Sequence, residues 1–105
     1  MIIKFFIESK MEDQAIQLVE GSLNEIEEII ISKEVKNIMP YWKMENTYVI
    51  EMKIELHKNE LPRFLNFYSD KWLELGYPVD ELVASQNNQG CTYMREGVMM
   101  INIFL

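Results

Sequence analysis

The chain has 105 residues, 49% of them hydrophobic, and seventeen Asp and Glu against ten Lys and Arg give it a formal net charge of −7. That is the size of one ordinary domain, spanning residues 1–105, with enough apolar content to form a core without disulfides or a structural metal. The negative surplus weighs against nucleic acid and anionic membrane as direct partners, because both would repel it, and favours a basic protein.

The sole cysteine, Cys91, has no partner for an internal disulfide. No apolar stretch approaches the roughly 20 residues needed to span a bilayer. The first apolar run, Ile2–Ile7, contains Lys4 and ends at Glu8, without the longer apolar region and cleavage site of a secretory signal. The expected compartment is the cytoplasm.

Along the chain, Ile3, Phe5 and Ile7 alternate with Ile2, Lys4, Phe6 and Glu8, which predicts a strand over Ile2–Glu8. Ser9 followed by Glu12 has the spacing of a capping box, so a helix is expected to start there. Met11, Ala15, Leu18, Val19, Ser22, Ile26, Ile29 and Ile30 then recur at helical spacing and extend it to about Ser32. Gly21 within it costs roughly 1 kcal/mol relative to alanine.

Two strands follow, Val35–Met44 and Thr47–His57, separated by Glu45-Asn46. In the second, Tyr48, Ile50, Met52, Ile54 and Leu56 face one way and Val49, Glu51, Lys53, Glu55 and His57 the other. Pro40 confines the first to an edge or a bulge, since proline cannot donate to a ladder. Asn59 is the expected N-cap of a second helix with Pro62 in its first turn, an apolar face of Leu61, Phe64, Leu65, Tyr68, Trp72 and Leu75, and Gly76 and Pro78 as its stop. Glu81–Ser85, a short Thr92–Met94 and Val98–Phe104 complete the strands.

This order predicts an α+β domain: a ferredoxin-like βαββαβ arrangement with an extra C-terminal strand, two helices on one face of a mainly antiparallel sheet and the other face open. If Ile3, Phe5, Met99, Ile101 and Ile103 meet the helices, the open face carries Phe6, Val98, Met100 and Phe104. A large exposed apolar patch marks an interaction surface.

Catalytic chemistry finds little support in the residues. His57 is the only histidine, and Glu55, His57 and Glu60 sit where a strand gives way to a loop, a geometry that need not converge them on a metal. Cys91 has only Arg95 and the remote His57 to activate it, so an inert thiol is expected. Phosphate-binding, dinucleotide, nucleophile-elbow and zinc-helix motifs are all lacking, and no catalytic residue, cofactor or metal is assigned.

Charge patterning is more informative. On a helical projection Asp13, Gln17, Glu20, Asn24, Glu27 and Glu28 share the face opposite the apolar stripe, and no Lys or Arg occurs between Met11 and Ser32. Ser9–Glu34 holds seven acids against Lys10 and Lys33, a net of −5. A face kept only for solubility is usually mixed in sign, because opposite charges one turn apart stabilise a helix. Tyr41 and Trp42 are residue types that anchor interfaces, although a tryptophan more often belongs to a core.

Short length, an acid-rich first helix, a single cysteine and no catalytic motif give the whole chain a resemblance of type to the small immunity proteins of bacterial contact-dependent growth-inhibition and polymorphic toxin systems. That resemblance implies neutralisation of a cognate basic toxin domain, a nuclease for instance, by masking its active-site or substrate surface. Asp13, Glu20, Glu27 and Glu28 would then stand in phosphate positions, with Tyr41 and Trp42 as secondary anchors. The alternatives are a homodimeric ferredoxin-like module that binds a ligand or regulates another protein and, third, a small enzyme using a carboxylate with Tyr93 or His57.

Overall fold

The computed structural model describes residues Met1–Leu105. In chain order it contains β1 (Ile2–Glu8), α1 (Glu12–Asn24), a 3₁₀ turn (Glu27–Ile29), β2 (Ile30–Pro40), β3 (Thr47–Leu56), α2 (Leu61–Tyr68), β4 (Leu73–Leu75), β5 (Glu81–Ser85) and β6 (Val98–Phe104). The strands form one sheet in the order β2-β3-β1-β6-β5-β4, with every neighbouring pair antiparallel. The expected α+β class therefore holds.

Because β1 and β2 both run antiparallel to β3, which lies between them, they are parallel to each other and joined through α1. That is the split βαβ arrangement. The additional strands do not follow the last one. β4 and β5 precede β6 and widen the sheet at its edge.

Several boundaries depart from the sequence expectation. α1 stops at Asn24, where the amides of Glu25 and Ile26 turn back to the carbonyls of Ser22 and Leu23. The β-branched run Ile29-Ile30-Ile31 favours extended backbone, and Ile30 pairs with Leu56 on β3. The capping box does not form: Ser9 Oγ accepts from the amide of Met11 at 3.2 Å, a local turn, and Met11 occupies the cap position. Asn59 sits at φ +69° in the turn before α2, and Glu60 is the residue at the cap.

α2 ends at Tyr68 because Ser69 is extended and buried, its hydroxyl donating to the Tyr93 carbonyl at 3.0 Å. Trp72 is tied back by its indole N–H to the Leu65 carbonyl (3.0 Å), while Leu73 and Leu75 form β4 instead of a fourth helical turn. Thr92–Met94 is not a strand. It makes one bridge, Ser69 to Met94, and is otherwise folded around Asp70, whose carboxylate accepts from the Thr92 hydroxyl and from the amides of Thr92 and Tyr93. These bonds, the Thr92 hydroxyl foremost, hold the Asp70 carboxyl below its ordinary pKa.

The core lies between the helices and one face of the sheet. Ile3, Phe5 and Ile7 of β1, Ile50, Met52 and Ile54 of β3, and Ile101 and Ile103 of β6 meet Ala15, Val19 and Leu23 of α1 and Phe64 and Tyr68 of α2. The Tyr68 ring lies 5.5 Å from that of Phe5 and 5.0 Å from that of Phe64. Its hydroxyl is 2.8 Å from Ser22 Oγ, which donates its own proton to the Val19 carbonyl, so Tyr68 is the donor between the two helices.

Burial pushes the Tyr68 phenol well above the ordinary tyrosine range. The unfolded chain's phenol ionises near pH 10 and the folded one does not, so this contribution to stability is intact below about pH 10 and is lost as pH rises, by about 1.4 kcal/mol per unit. Tyr68→Phe is expected to cost about 1 kcal/mol at pH 7 and to flatten the alkaline decline in urea unfolding measured from pH 9 to 11. A decline unchanged by the substitution would place its origin elsewhere.

Candidate interaction surfaces

The outward side of α1 follows from its period: Ala15, Val19, Ser22 and Leu23 are buried, which turns Asp13, Gln17, Glu20 and Asn24 to solvent. Asp13 and Glu20, two helical turns apart, lie on this one face. Glu12, Asp13, Glu20 and Glu27 are exposed, and none of the ion pairs in the molecule includes them.

Other acids of the segment are already engaged. Glu25 pairs with Arg95, Glu28 with Arg63 of α2, and Glu34 with Lys36 at 3.3 Å. The Glu28 carboxyl is held below its usual pKa by its own backbone N–H and by Arg63. Glu27 and Glu28, expected on the helix face, stand instead on the 3₁₀ turn beyond its end, and Glu28 is an internal ion-pair partner.

Tyr41 and Trp42 lie on the turn between β2 and β3, on the other side of the sheet. The Tyr41 ring meets Phe6 edge-on at 5.0 Å, and Phe6 points away from the helices. Trp42 is 84% exposed, contrary to the ordinary expectation for tryptophan, and Lys43 Nζ rests 5.1 Å from its ring centroid. The six expected contact residues therefore divide between two surfaces: Asp13 and Glu20 with the neighbouring 3₁₀ turn, and an aromatic turn on the helix-free face.

Strand register defines that second face. Met39, Val49, Phe6, Met100 and Ser85 lie side by side across five strands, a row without a formal charge. The next rows add Asn37, Glu51, Lys4, Asn102, Val83 and Leu73, then Glu34, Lys53, Ile2, Phe104, Glu81 and Leu75. A register shift at Phe6/Ile7 corrects the expectation for β6: Val98 pairs with Ile7 and is buried on the helix side. Met99, released by that bulge, lies near Thr47, whose hydroxyl is 3.6 Å from its sulfur.

Between the aromatic turn and the bulge is a cavity of about 190 Å³. Its apolar lining is Phe6, Tyr41, Met44, Met99 and Met100, with Ser85 at its polar side. Methionine side chains adapt to irregular partners, and three of the chain's eight gather here. Sequence reading missed Met44 and Met99. The signal was the number of methionines flanking Tyr41-Trp42 and opening β6, but only the fold brings the two stretches together.

His57 is exposed just beyond β3, and no group of three or more His, Cys, Asp and Glu side chains converges in the structure. Cys91 Sγ lies 3.4 Å from the Tyr93 carbonyl and 3.8 Å from Ser69 Oγ, neither of which is a base able to draw off its proton. The Tyr93 hydroxyl donates to the Phe67 carbonyl at 3.2 Å. No helix is long and apolar enough to cross a membrane. Compared with known proteins, the chain matches no protein family, no curated protein and no solved structure.

Proposed function

We propose that this chain is a cytoplasmic binding protein that neutralises a basic protein domain, such as a toxin nuclease, by laying acidic side chains over its positively charged substrate surface. The observation that carries this reading is the exposed outer face of α1, where Asp13 and Glu20 have no internal partner, while beyond the helix Glu25 and Glu28 are consumed by Arg95 and Arg63 and only Glu27 stays free. Binding a cationic surface there breaks no existing ion pair, so the attraction is not offset by a lost internal contact. Fixed acids on one rigid helix also steer encounter and exclude partners of the wrong sign.

Binding is preferred to catalysis because His57 stands exposed beyond β3 without a side-chain hydrogen bond, and the groups in contact with the Cys91 thiol, the Ser69 hydroxyl and the Tyr93 carbonyl, are not bases. The test is co-expression with the protein encoded immediately upstream of this chain. A co-purifying complex that weakens with salt, together with loss of that neighbour's toxicity, is the expected result. A neighbour that neither binds nor is neutralised defeats the proposal.

A further inference from the structure

We infer that the helix-free face of the sheet is the docking surface for a second copy of this chain, with Trp42 of each copy seated in the Phe6–Tyr41–Met100 cavity of the other. Apolar and polar side chains share this face, and the apolar ones are concentrated in the row through Phe6, where only Ser85 is polar. Ile2, Phe6, Met39, Val49, Met100, Phe104, Val83, Leu73 and Leu75 all point to it, and both helices pack on the opposite side. Apolar area of this kind on a soluble chain marks an association surface.

Charge selects the occupant. The chain as a whole is at −7, yet this face is near balance: the row through Phe6 carries no formal charge, and in the rows beside it Lys4 stands opposite Glu51 and Lys53 opposite Glu34, leaving Glu81, which accepts from the Asn102 side chain at 3.1 Å, as the one acid without a lysine opposite. Lys4 and Glu51 are already in contact at 3.9 Å. A basic protein gains most at the unpaired acids of α1, on the far side of the sheet, whereas a second copy brings the same alternating signs and can exchange them across a two-fold axis. In such a pair the acidic faces of the two α1 helices point outward, away from each other.

Geometry meets the condition for a closed dimer, in which one surface patch must complement itself. Trp42 projects into solvent next to Tyr41, at 6.5 Å between ring centroids, and Tyr41 is itself a wall of the cavity. An exposed anchor one residue from a wall of the receptacle interlocks reciprocally when the two-fold axis passes beside them. The cavity, about 190 Å³, is smaller than the roughly 300–1,000 Å³ of small-molecule sites and has room for a single side chain.

Six strands about 4.8 Å apart and some 20 Å long give a footprint of about 500 Å² per copy. The pair thus approaches the roughly 1,000 Å² threshold of a specific interface before the Trp42 contacts are added.

Sedimentation equilibrium over a concentration series tests this directly, expecting twice the 12.5 kDa chain mass for the unmodified protein. Trp42→Ala, at a position too exposed to disturb the fold, should weaken the dimer at least tenfold. Met100→Glu places a like charge from each copy at the centre and should leave monomer with an unchanged circular dichroism spectrum. Asp13→Lys with Glu20→Lys should leave the dimer intact, so failure of the basic-partner proposal and failure of this one are distinguishable. A monomer at every concentration overturns the inference, as does a dimer whose dissociation constant is unmoved by Trp42→Ala.

Discussion

Truncation of Phe5 to alanine is expected to remove about 3–5 kcal/mol of folding stability, the largest single-site effect in the chain. Phe5 is fully buried on β1 at the middle of the sheet, with Ile50 beside it on β3 and Ile101 on β6. Its ring packs against Tyr68, the residue through which α2 also bonds to α1. Removing the ring opens a cavity that sheet and helices, each held by its own backbone bonds, cannot close. Against a total stability of roughly 5–15 kcal/mol for a domain, the variant would be marginal at 37 °C. Urea unfolding measures it, with Phe6→Ala as the informative comparison. Phe6 is the same residue type one position on, but it faces away from the helices and is covered by Tyr41. Its truncation should cost the isolated chain less, and an equal loss would make the helix-free side as much a core as the helix side.

Reversal of charge on α1, Asp13→Lys with Glu20→Lys, is the second large effect. Association with a basic partner should slow by about 10- to 100-fold at low ionic strength, and the salt dependence of the rate should shrink with it. Both side chains are exposed and free of ion pairs, so folding is nearly indifferent to the change. Lysine in the first helical turn opposes the helix dipole, at a cost of about 0.3–1 kcal/mol. Stopped-flow mixing at two salt concentrations separates rate from stability. An association rate and salt slope equal to those of the unmodified protein remove α1 from the interface. Reversing Glu25 and Glu28 is a poorer experiment, because it breaks the bonds of Arg95 and Arg63 and confounds binding with folding.

Local periodicity alone determined the α+β class, β1, the half-buried β3, the two-helix content and the concentration of acid in the segment that holds α1. These are properties of residues two, three or four positions apart, and the chemistry of such neighbours is written in order along the chain. What the tertiary structure decided depends on residues distant in sequence. α1 yields to a 3₁₀ turn because Ile30 finds Leu56 on β3; Glu28 is consumed by Arg63 and Glu25 by Arg95, 35 and 70 positions away. The bulge that turns Val98 inward appears only in the pairing of β1 with β6. Trp42 is exposed because the β2–β3 turn spends Tyr41 in covering Phe6 and leaves its neighbour in solvent. Composition thus placed the negative charge in one segment, but packing chose which carboxylates remain free, since an ion pair needs a partner that only the folded chain brings within reach.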